Sequence, residues 1–69
     1  MIHTVYKCQG EETAKKIKEL LIEEGLATAT KFECSRFCKN LEELKADLKK
    51  IEESDKELKR NFKILVTIY

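Results

Sequence analysis

Three cysteines and one histidine are the residues of this chain with chemistry to offer: Cys8, Cys34, Cys38 and His3. Thiolates hold soft metals and clusters, or attack and exchange disulfides. Cys8 lies just before the start of one expected helix and Cys38 just before another, where the positive end of a helix lowers a thiol pKa. An odd number of cysteines rules out a complete intramolecular disulfide framework. The Cys34-x3-Cys38 spacing is a weaker metal signal than C-x2-C. There is no fourth cysteine, and His3 opens its strand at the wrong edge to complete a tetrahedron. Three readings stand side by side. The thiols are small buried hydrophobes; or Cys8, Cys34 and Cys38 hold a thiolate-bound metal or cluster; or Cys34 and Cys38 do redox chemistry, for which a bridge between them requires a turn.

Other chemistry is sparse. His3 has no carboxylate obviously beside it and reads as a strand residue facing solvent. Gln9-Gly10-Glu11-Glu12 is no phosphate cradle: it has one glycine, and its acids occupy the helix N-terminus that an anion would need.

The elements that must position these groups follow from periodicity. Ile2 to Cys8 alternates as a strand, with Ile2, Thr4, Tyr6 and Cys8 on one side and His3, Val5 and Lys7 on the other. Glu11 to Glu24 carries Ala14, Ile17, Leu20 and Leu21 at helical spacing, and Gly25 suits the left-handed residue that closes it. Leu26 to about Cys34 is a second extended segment. Cys34 to Lys39 reads as either a short further strand or a turn. Asn40-Leu41-Glu42-Glu43 resembles a capping box, with Glu43 placed to reach back. Leu41, Leu44, Leu48, Ile51 and Leu58 stripe a long helix, with a second box at Ser54-Asp55-Lys56-Glu57 where it breaks. Phe62 to Tyr69 is a last strand, apolar on nearly both faces, as expected of a central position.

This order describes one domain over residues 1–69, an α/β (α+β) two-layer sandwich. It is either a ferredoxin-like βαββαβ, if 26–37 forms a hairpin, or a three-stranded βαβαβ variant. A βαβ crossover makes its strands parallel, which would bring Cys8, Cys34 and Cys38 to one sheet edge. Two helices cover one sheet face, leaving Val5, Leu65 and Tyr69 on the other, and a wet apolar face calls for a partner.

Composition narrows the classes. The chain has 69 residues, too few for a catalytic domain beside a binding domain. With 42% hydrophobic residues and 14 basic against 13 acidic side chains, it is neither a disordered tail nor a nucleic-acid binder held by counterion release. No apolar run approaches the ~20 residues of a membrane span, and no signal peptide is evident. Free thiols without an export signal imply a reducing cytoplasm. The Lys/Glu richness and single Gln lean towards a heat-adapted source.

Two resemblances add to this. Val5-Tyr6-Lys7-Cys8, then Glu11-Glu12-Thr13-Ala14-Lys15-Lys16-Ile17 and Glu24-Gly25-Leu26-Ala27, resemble the opening of the CutA family over residues 5–28. That resemblance implies a trimeric ferredoxin-like protein tied to divalent-metal tolerance. Cys8-x-Gly10 and Cys34-Ser35-Arg36-Phe37-Cys38 resemble the thioredoxin-like two-iron ferredoxins, which implies an iron–sulfur cluster on cysteines; Thr13 stands near the place of the missing one.

The sequence therefore points to a small intracellular non-enzymatic binding or regulatory protein, homo-oligomeric through its open sheet face, without nucleic acid or membrane and with no small-molecule ligand specified. The alternative is a metal or iron–sulfur binder using Cys8, Cys34 and Cys38, and a second alternative is a thiol redox protein.

Overall fold

The computed structural model describes residues 1–69. Strand β1 (Ile2–Cys8) leads into helix α1 (Glu11–Leu21), which tightens into a 3-10 turn over Ile22–Glu24. Gly25 then takes φ 88°, the left-handed side of the map that a side chain resists. A short strand β2 (Thr28–Ala29) and strand β3 (Glu33–Cys38) form a hairpin. Helix α2 (Leu41–Ser54), a 3-10 turn over Leu58–Arg60 and strand β4 (Phe62–Ile68) complete the chain. The result is an α+β two-layer sandwich with βαββαβ element order. Its four-stranded antiparallel sheet has strand order β2-β3-β1-β4.

Local chemistry accounts for the helix ends. Asn40 is extended, and its side chain accepts a hydrogen bond from the Glu43 N–H at 3.0 Å. Glu43 does not reach back to Asn40 as a capping box would have it; its carboxylate goes to Arg36 and to the Lys39 N–H. At the second box Asp55, not Ser54, is the acceptor, taking the Glu57 N–H at 2.9 Å, and α2 stops at Ser54.

Both helices pack against β1 and β3. The even-numbered residues of β1 point at them, as the alternation predicts: Ile2, Thr4 and Tyr6 are buried and Cys8 is partly so. The main core gathers Tyr6, Cys34, Ile17, Leu21, Ile51 and Leu58; a smaller one holds Ile2, Cys38 and Leu44.

Two expectations are corrected here. The strand reached by the first crossover is β2, which carries no cysteine and does not neighbour β1. Cys34 and Cys38 lie on β3, which runs back antiparallel to β1, with Cys34 opposite Tyr6 and Cys38 opposite Ile2. The hairpin reverses the chain between the crossover and the cysteines, so Cys34 lies near Cys8, which packs against the same core cluster, while Cys38 lies at the opposite end of the strand, in the smaller core. Strand β4 is not central either. It lies at a sheet edge, paired only with β1, and its apolar residues remain largely in water.

Candidate functional site

The register builds the uncovered face row by row. Opposed residues share a side of the sheet, so Lys63, Lys7 and Glu33 form one row. Leu65, Val5 and Ser35 form the next, and Thr67, His3 and Phe37 the third. The His3 and Phe37 rings stack across β1 and β3, with centroids 4.5 Å apart and planes 22° from parallel. Phe37 remains 46% exposed and Leu65 51%. The face is thus graded: charged at one end, aliphatic in the middle, aromatic at the other. Its aromatic end is already ordered, because each ring holds the other in place.

The opposite side of β3 carries a buried charge. Arg36 is fully buried, on the same strand phase as Cys34 and Cys38. Its Nε meets an Asp47 carboxylate oxygen at 2.6 Å, and its Nη2 pairs with Glu43. Its Nη1 donates to the Glu24 carbonyl at 2.9 Å, and Nε also lies 3.3 Å from the Cys38 sulfur. The Cys38 thiol in turn donates to Asp47 at 3.5 Å. Burial pushes the Asp47 carboxyl up, against the pull of the adjacent guanidinium. Arg36 itself is held charged: the desolvation that opposes its charge is outweighed by Cys38, Asp47 and Glu43. The Thr4 hydroxyl donates to the Arg36 carbonyl at 3.2 Å, and the buried Tyr6 hydroxyl beside it has no hydrogen-bond partner.

Neither Arg36 nor Asp47 stood out in the sequence, yet each left a signal. Asp47 falls three residues after Leu44 and four before Ile51, so it interrupts the apolar stripe of α2. Arg36 alternates with the two buried cysteines. Opposite charges on two buried phases are the mark of an internal ion pair.

The three thiols do not act together. Cys8 is half-buried, at the end of β1 where its N–H donates to the Phe32 carbonyl. Cys34 is buried in the main core and Cys38 in the smaller one. Burial pushes all three thiols up, Cys34 to about 11. The pull of Arg36 on Cys38 does not overcome its desolvation. These are neutral thiols, not poised thiolates. No group of three or more His, Cys, Asp or Glu side chains is arranged to hold a metal ion. No helix is long and apolar enough to cross a membrane. The depressions on the helical side are shallow and largely charged, one lined by Lys16, Glu19, Leu20, Ser54 and Asp55.

No known family model matches this chain, and a comparison with curated proteins finds no match. The surfaces of the molecule itself are what point to its role.

Proposed function

We propose that the chain is a small non-catalytic binding or regulatory protein of a reducing, cytoplasmic compartment, working as an assembly of copies with the uncovered sheet face as contact surface. The observation that carries this reading is the His3–Phe37 stack, preformed and half in water, with Val5 and Leu65 in the adjoining row. Aromatic and aliphatic side chains fixed on a rigid sheet lose little entropy on docking, and aromatics are enriched where proteins meet. The depressions of the helical side are largely charged, which favours solvent. The free thiols fit the compartment: two are buried and all are neutral, so they serve as packing groups.

Light scattering on a sizing column tests the reading. The wild-type chain is expected to elute as a multiple of its 8.1 kDa mass, and Phe37→Lys to lower that mass while circular dichroism shows the fold retained. A wild-type protein that stays monomeric up to millimolar concentration would overturn it.

A further inference from the structure

The sheet has two edges, and they are treated differently. The β2 edge is two residues long, a length that offers little to a passing strand. The β4 edge is seven residues long and pairs with β1 without a break from Phe62 to Ile68. It therefore contains no bulge, and the chain contains no proline. Lys63 is its only charge. Apart from that single lysine, none of the usual devices that blunt an edge strand is present.

The hydrogen bonds fix which backbone groups are free. Tyr69 N–H donates to the Met1 carbonyl and Gln9 N–H to the Asn61 carbonyl. Odd-numbered residues along β4 are thus the ones bonded to β1. The N–H and C=O groups of Ile64, Val66 and Ile68 point away from the sheet.

The side chains along this edge are apolar on both sides. Leu65 and Tyr69 share the uncovered face; Val66 and Ile68 lie on the helix side, but α2 sits over β1 and β3 and leaves them open. These four keep between 44% and 76% of their surface exposed. With Met1, which is also more than half exposed and whose carbonyl accepts from the Tyr69 N–H, they form one apolar strip of about 500 Å², the size of the largest patch on an ordinary monomer. A stable pairwise interface buries about 800 Å² per partner, so backbone pairing along the edge would make up the difference.

We infer that β4 is a docking edge for a second copy of this chain, pairing antiparallel to its own counterpart about a two-fold axis at Leu65. In that register Leu65 meets Leu65, Ile64 meets Val66, and Phe62 meets Ile68. Lys63 meets Thr67, so no like charges oppose each other. The outward groups of Ile64 and Val66 exchange hydrogen bonds across the axis. The product is one eight-stranded sheet whose two uncovered faces become continuous. This deepens the oligomeric reading above and rests on it, but it uses a different surface.

The two surfaces are separated by working in the Phe37→Lys background, where the face contact is weakened. That variant is expected to remain a dimer of twice 8.1 kDa. Adding Val66→Pro, which removes an outward N–H and no bond to β1, is expected to halve the mass with the circular dichroism unchanged. Ile68→Lys, a change at a side chain already in water, serves as the second variant and is expected to weaken the dimer at least tenfold. Phe37→Lys running as a monomer would overturn the edge pairing and leave the face reading standing. A double variant that stays dimeric would also overturn it. Equal dimer masses for wild type and Phe37→Lys would remove the face reading and support the edge. A wild-type monomer that binds an added synthetic β-strand peptide at the edge would also overturn it, by assigning the edge to a foreign strand.

Discussion

Removing the Asp47 carboxylate is the sharpest single test of how this small domain is held together. Asp47 is 3% exposed and faces a guanidinium with no exposure at all. Asp47→Ala leaves Arg36 with Glu43, which is one-third exposed, and one carbonyl. Breaking a buried pair by deleting one partner costs about 3–5 kcal/mol, because a buried charge is left uncompensated. A domain of this size has about 3–5 kcal/mol to lose, so the variant is expected to be largely unfolded at 25 °C. Each kcal/mol displaces Tm by about 4–8 °C in so short a chain, which gives a fall of at least about 12 °C. Replacing both partners, Arg36→Met with Asp47→Leu, is expected to restore most of the loss, since a packed apolar pair is near neutral relative to a buried ion pair. Burial already pushes Asp47 up despite Arg36, so the pair gives little net stabilisation over such a replacement. Urea unfolding followed by far-UV circular dichroism on wild type, Arg36→Met, Asp47→Leu and the double variant reads the coupling directly. If the single changes each cost under about 1 kcal/mol and add within about 0.5 kcal/mol in the double variant, Arg36 and Asp47 are not a coupled buried pair.

Three further outcomes are expected. With a chromogenic thiol reagent at neutral pH, Cys8 should react first and alone, and Cys34 and Cys38 only in denaturant; rapid labelling of all three would contradict the burial described. Because the folded Cys34 thiol titrates near 11, above its unfolded value of about 8.5, its share of stability is complete below the unfolded value and lost as pH rises towards 11. Urea midpoints should fall across that window, and Cys34→Ala should flatten the slope. Asn40→Ala should cost about 1 kcal/mol and Asn40→Gly only a few tenths, as for a side chain capping a helix N-terminus; equal losses would mean that the bond to the Glu43 N–H is not what matters.

Much of the scaffold was readable from periodicity. The alternation of Ile2 to Cys8, the stripe of Ala14, Ile17 and Leu21, the Asn40 cap and the break after Ser54 are local features, written within a turn or two of the residues they govern. What was not readable is long-range. The hairpin between β2 and β3 has a first arm of only Thr28 and Ala29, too short to alternate, and its turn contains no glycine or proline to announce a reversal. The segment 26–37 therefore reads equally as one strand or as a hairpin; the hairpin reverses the strand bearing the two cysteines, which keeps Cys34 near Cys8 and carries Cys38 to the other end. Strand β4 misled for another reason. Apolar residues on both faces mark a strand covered twice, and a single chain cannot say whether the cover comes from itself or from a neighbour. The partners of Arg36 were harder to read, because Glu24, Glu43 and Asp47 lie seven to twelve residues away, on the 3-10 turn after α1 and on α2.

That arginine also bears on how the molecule comes apart. A single cation joins the exit of the first helix, the middle of β3 and two turns of the second helix. The second helix cannot lift away without stranding a charge in a dry interior, and the exit of the first cannot without leaving a buried guanidinium N–H unpaired, so partial opening is penalised. Amide exchange near Glu24 and near Glu43 should therefore share one opening free energy. The domain would then melt in concert, with no half-open form to linger long enough to aggregate.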